Sequence, residues 1–188
     1  MKKTIFSTLI LLALVLLSVA QPAEGMIYWQ KNQPLRWSDF KGRPLKNSPF
    51  HAQTQGALNY TFDNMGPGAY VFKLNVKYDK QKSWSKPKEQ TDDLLRHEQG
   101  HFDIYEIYGR MIIQRIKETK ALSGTKFSDK VSKIFTKSFA ELRKFQREYD
   151  QETDHSKDEE KQEEWNRKLE KMLIDSEKHI VKEIEFKT

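Results

Sequence analysis

From Tyr70 to Tyr78 the chain alternates. Tyr70, Phe72, Leu74, Val76 and Tyr78 are apolar, and Lys73, Asn75 and Lys77 stand between the later ones. A period of two puts successive side chains on opposite faces, so this segment predicts a half-buried β-strand. Ala52 to Phe62, rich in Thr, Tyr and small residues, predicts a second strand. Asn64-Met65-Gly66-Pro67-Gly68 between them has turn chemistry. The two strands are expected to pair as an antiparallel hairpin.

After about residue 90 the period lengthens to that of a helix. The first helix is expected to start at Thr91, whose hydroxyl can cap it, with Asp92 and Asp93 at the positive end of the helix dipole. It should run to about Leu122 and stop at Gly124. The second begins at Ser128 and carries Val131, Ile134, Phe135, Phe139, Leu142, Phe145 and Tyr149 at helical spacing. The third is expected from Lys157 to Ile184, with Trp165, Leu169, Met172, Leu173, Ser176 and Ile180 facing inward. Its charged start, Lys157 to Glu164, reads as a solvated face. The fold class is therefore α+β: a small antiparallel sheet packed on the first helix, with two further long helices.

Composition refines this picture in three ways. The 188 residues, 37% hydrophobic and 32% charged, suit one folded domain with a highly charged surface. Lys2 and Lys3, then apolar residues from Ile5 to Leu17, then Ser18 and Ala20, follow the plan of a secretory signal cleaved after Ala20. The apolar run is short for a membrane span. The expectation is a signal over 1–20, a single domain over 27–188 ending in a charged helix over 157–188, and export to the periplasm or medium without lasting membrane insertion. The net charge is +6, of which +4 remains without the two signal lysines, and its signs are mixed. That pattern argues against nucleic-acid binding. No cysteine is present, which excludes disulfides, thiol catalysis and thiolate ligands. A metal site would have to use His, Asp and Glu.

His97-Glu98-Gln99-Gly100-His101 is such a site in outline. Two histidines four residues apart differ by about 40° around a helix, so both imidazoles can reach one divalent ion. Leu94, Ile104, Tyr108, Met111 and Ile112 share their side, so the pair faces the interior. Glu98, about 100° round from His97, lies beside such an ion and can act as general base toward water. Gly100 is costly in a helix interior, by up to about 1 kcal/mol relative to Ala. Something is expected to approach the backbone there. The expected cofactor is one zinc ion per chain.

A catalytic zinc has three protein ligands and an open position. Glu106 is about 180° from His97 and faces away. Asp93 lies one turn before it, where a supporting role fits better. The segment Asp150 to His155 joins the second and third helices and can fold back over the first, which makes His155 the favoured third ligand and Glu152 its alternative. Asp103 and Asp150 could orient the imidazoles through their second nitrogens, or be solvated. Tyr149 ends an apolar stripe, so it belongs to the core or donates to an oxyanion beside the metal.

Several segments together resemble the bacterial family known as domain of unknown function 922, described as predicted zinc-dependent proteases. They are LRWSDFKG at Leu35 to Gly42, Ser83-Trp84, LRHEQGHFDIY at Leu95 to Tyr105, and Tyr149-Asp150-x-x-Thr153-x-His155, followed by Gln162 and Trp165. They span about residues 30 to 170. The pattern departs at Ser156, where the family leads one to expect glycine. The resemblance implies an HExxH metal site with His155 as a partner, and no substrate.

The combined expectation is a zincin-like α+β metallopeptidase acting on a peptide or protein, envelope components included. His97, His101 and His155 would hold zinc, Glu98 would be the base, and Tyr149 would assist. The strand Tyr70–Tyr78 would serve as an edge that pairs with substrate backbone. The alternative is a non-catalytic envelope protein in which a metal staples the helices and the charged third helix binds a partner.

Overall fold

A computed structural model of the chain describes residues 25–119 and 125–187. The expected signal over 1–20, with Leu122 and Gly124, lies outside the described residues. The expected hairpin forms: β3 (Gly56–Gly66) and β4 (Ala69–Asp79) pair antiparallel, with Leu58 opposite Val76 and Phe62 opposite Phe72. In the turn, Asn64 Oδ1 accepts from the Gly66 N–H, and Gly66 and Gly68 adopt positive φ. β1 (Met26–Tyr28) pairs with the last residues of β4.

The run from Ala52 divides instead of forming one strand. β2 (Ala52–Gln53) pairs with β5 (Trp84–Ser85) in a separate two-stranded ribbon. The break at Thr54–Gln55 has local causes. The Thr54 hydroxyl donates to the Glu98 carbonyl, and the Gln55 N–H donates to Ser83 Oγ. Gly56 then lies so close to the Tyr105 ring that a Cβ there would stand 2.3 Å from it.

α1 (Asp92–Glu118) is capped as expected, with Thr91 Oγ1 accepting from the Leu94 N–H. Phe102, Ile104, Ile107, Ile112, Ile113 and Ile116 are each at most 1% exposed, so nearly every side of its middle is covered. The sheet contributes Phe72, Leu74, Val76 and Tyr78 to the same core. Each such side chain contributes roughly 1.5–3 kcal/mol on burial. α2 (Thr125–Glu152) and α3 (Glu159–Asp175) also pack on α1.

The third helix is shorter than expected. α3 stops at Asp175, a 3₁₀ turn follows over Glu177–His179, and the chain then forms β6 (Glu183–Lys187). The charged helix expected over 157–188 is corrected accordingly, and Ile180 is exposed. The reason lies at the chain end, where Ile184 and Phe186 alternate with Glu183 and Glu185. That period of two suits a strand. It places Ile184 opposite Phe72 and Phe186 opposite Tyr70, with the Tyr70 and Phe186 rings stacked.

β6 also overturns the edge role expected of the strand Tyr70–Tyr78. β4 has β3 along one side, and β6 and β1 divide the other. On that side β6 covers Ala69–Lys73 and β1 covers Lys77–Asp79, so no continuous edge is left for a substrate strand.

An ion cluster ties this joint to α1. Glu106 Oε1 accepts from Arg110 Nε and lies equally close to Lys182 Nζ, 2.8 Å each, while Arg110 Nη1 donates to the Leu173 carbonyl. Glu106 and Arg110 are at most 2% exposed, so Glu106 does face away from His97, into a buried pair. Arg110→Ala is expected to cost about 3–5 kcal/mol, because it leaves a buried carboxylate short of its partner. Urea unfolding of the two proteins measures this, and a loss below about 1 kcal/mol would contradict it.

Candidate metal centre

Helical spacing alone brings the two imidazoles of α1 together. His97 Nε2 and His101 Nε2 stand 3.2 Å apart, with their rings nearly perpendicular. The third donor comes from the last turn of α2. Asp150 Oδ1 lies 3.3 Å from His97 Nε2 and 3.0 Å from His101 Nε2. Ligands at about 2.0–2.1 Å from a tetrahedral ion stand about 3.3–3.4 Å apart, so the three atoms outline one face of such a site. His97, His101 and Asp150 thus form a cluster able to hold a metal ion.

Two glutamines set the imidazole tautomers. The Gln162 amide donates to Tyr149 Oη and Asn166 Oδ1, which leaves Oε1 to accept from His97 Nδ1 at 3.0 Å. The Gln146 amide donates to the His101 carbonyl, and its Oε1 accepts from His101 Nδ1. Each Nδ1 therefore carries a proton, and each Nε2 faces the centre, where it offers a lone pair once its own proton is displaced. Asp103 does not share this task. It accepts from Trp29 Nε1 and Gln99 Nε2, and burial raises its carboxyl to about 6 against those hydrogen bonds. Asp150 meets the imidazoles at their first nitrogens, not their second.

The charges fit a cation. Burial disfavours the His101 imidazolium, yet the Asp150 carboxylate overrides it and raises His101 to about 9. Burial likewise raises Asp150, and hydrogen bonds from His101 and His97 overcome it, so the carboxyl ends well below its usual range. A proton shared in this way marks a place where a divalent ion would replace it.

Glu98 lies beside the centre, 3% exposed, and its Oε2 has no hydrogen-bond partner. An orphaned buried carboxylate oxygen is costly unless water or substrate comes to it. His97, Glu98, His101 and Asp150 all line one cleft of about 710 Å³, walled by α1, α2 and the segment 49–54.

The remaining expected residues are placed differently. His155 sits at the rim, with Nδ1 3.4 Å from Asp150 Oδ1 and its ring against Phe50. It stands outside the group of donors that approach one another. It belongs to a turn in which Asp154, His155 and Ser156 all have positive φ, at +43°, +55° and +76°. Ser156, where glycine was expected, thus holds a backbone conformation that favours glycine. Glu152 is turned toward α3, where Oε2 accepts from Trp165 Nε1. Asp93 is near Arg96 on the surface.

Tyr149 is fully buried and stacks on His97 with ring centres 4.6 Å apart. Its hydroxyl donates to the His97 carbonyl and accepts from Gln162, and burial pushes its ionisation far up. Both hydrogen bonds are spent inside the core, so Tyr149 positions α1 and does not offer a donor to the cleft. It also explains Gly100, where a Cβ would stand 2.4 Å from Tyr149 Oη. Ala in a helix interior usually gains about 1 kcal/mol over Gly. Gly100→Ala should instead lose about 1–3 kcal/mol by overpacking and weaken metal binding through His97. Denaturation midpoints and metal titration check this, and a stabilised variant would contradict it.

An α+β fold with a two-histidine, one-aspartate centre on an HExxH helix defines a candidate metalloprotein. The chain belongs to the bacterial family of unknown function DUF922, whose model matches residues 36–156. No curated protein and no solved structure matches it. Among the described residues, no helix is long and apolar enough to cross a membrane.

Proposed function

We propose that the centre binds zinc through His97, His101 and Asp150, and that the protein hydrolyses peptide bonds with Glu98 as general base. One observation carries this: three converging donor atoms 3.0–3.3 Å apart, with a buried carboxylate beside them whose Oε2 has no hydrogen-bond partner, all lining one cleft. When bound, zinc supplies the Lewis acidity that acidifies water and polarises a carbonyl. Gln146 and Gln162 hold the imidazoles in register. Glu98 takes the proton from the attacking water and passes it to the leaving amine. The N-terminal pattern at Lys2 to Ala20 supports export, so the substrate would be a peptide or protein of the envelope or its surroundings. N-terminal sequencing of the exported protein should read from Gln21.

The test is elemental analysis of the purified protein, which should hold about one zinc per chain, paired with a chelator-sensitive assay on a mixed peptide library. Iron in place of zinc would redirect the reading, because two histidines and a carboxylate also suit ferrous oxygen chemistry. One observation favours the non-catalytic alternative, the 3.4 Å approach of His155 to Asp150. A fourth protein donor would close the site and make it structural. The open cleft and the orphaned Glu98 oxygen support the catalytic reading over it.

A further inference from the structure

The cleft has a charge pattern that the hydrolase reading does not require. Its only carboxylates among the described lining residues are Glu98 and Asp150, both at the centre. Its α2 wall and outer end carry Arg143, Arg147 and Lys157, all exposed. Arg143, Gln146, Arg147 and Asp150 share one face of α2, since they fall three and four residues apart. Elsewhere on this helix Lys137 reaches Glu141 and Lys144 reaches Glu148, while Lys130 and Lys133 are exposed and unpaired among the described residues. On the cleft side, Arg147 has no ion-pair partner among the described residues, and Arg143 only covers the Phe139 ring. Two arginines therefore line the cleft with no carboxylate paired to either among the described residues.

Their spacing suits an extended chain. At 1.5 Å per residue, Arg147 and Arg143 stand about 4.5 and 10.5 Å along the axis from Asp150. An extended peptide advances about 3.3 Å per residue, so these distances correspond to roughly one to three residues from the bond at the centre. Arginine forks match carboxylates in geometry as well as charge.

Resting on the hydrolase reading, we propose that the cleft selects peptides bearing an acidic side chain within about three residues of the scissile bond, with Arg147 and Arg143 as its receptors. The test uses the full chain carrying Glu98→Gln and loaded with zinc, so that binding is read without turnover. Fluorescence polarisation compares short peptides, labelled with a neutral dye, that differ only in having Glu, Gln or Lys at the flanking positions. The Glu peptide should bind about fivefold to tenfold tighter than its Gln isostere at low salt, the sum of two exposed charge pairs. Adding salt should shrink the difference. Arg143→Ala with Arg147→Ala should abolish the preference, Arg147→Glu should turn it toward Lys, and the double Lys variant should retain most of it. Equal binding of the three peptides, or a preference that survives the double Ala variant, overturns the proposal. The zinc-loaded wild type is assayed separately for cleavage of the same peptides. Failure to cleave any of them counts against the hydrolase, while the polarisation result still decides the charge preference.

Discussion

Glu98→Gln should give a folded, zinc-loaded protein whose peptide hydrolysis falls by about 10²–10⁴-fold, the usual contribution of a positioned general base. The two side chains have the same shape, so the packing around a residue 3% exposed is kept. Oε2 makes no hydrogen bond within the protein, so none is broken there by the exchange. Glu98 is also not among the converging donors, so metal content should stay level. What disappears is the ability to accept a proton, because an amide is not basic in water. Metal analysis and turnover of a peptide pool, measured on the same sample, decide the matter. A variant that keeps both its zinc and full turnover would remove Glu98 from the chemistry.

Asp150→Ala should weaken zinc binding by more than the 10–100-fold typical of losing a group that only orients a ligand. It removes one of three converging donors and the one negative charge between two imidazoles. His155→Ala should leave affinity unchanged, because His155 stands at the rim and meets Asp150 rather than the two Nε2 atoms. Competition with a chromophoric chelator ranks the three proteins. If the order is reversed, with His155→Ala losing the ion and Asp150→Ala keeping it, the third donor is His155, as the sequence reading had it. If each loses it, both belong to a closed, four-donor site and the structural alternative gains.

The misplaced features share a physical pattern. The helical stripe through Trp165, Leu169 and Met172 keeps its spacing as far as Ile180, so the sequence alone extends α3 beyond its end at Asp175. The competing period of two at Ile184 and Phe186 is only two residues deep, and it gains meaning only where β4 offers an open edge. Gln146 and Gln162 were legible in part. Each is a polar residue on an otherwise apolar face, Gln146 beside Leu142 and Tyr149, Gln162 in line with Trp165 and Leu169. A buried amide must find partners, so such a position points to a hydrogen-bonding task. The identity of the partner, a histidine 45 or 65 residues away, does not follow from either segment.

Local periodicity was enough for the β3–β4 hairpin, the capped start of α1, and the pairing of His97 with His101 one helical turn apart. These follow from bond geometry within a few residues and hold wherever the segment sits. Packing between distant segments sets three further features: Asp150 and not Glu152 meets those histidines, Tyr149 fills the space over Gly100, and residues 183–187 return as a strand. Those outcomes depend on how α2 and α3 cross α1. A rotation of one residue along α2 is about 100°, enough to exchange a donor for a solvated acid, and packing between helices sets that rotation.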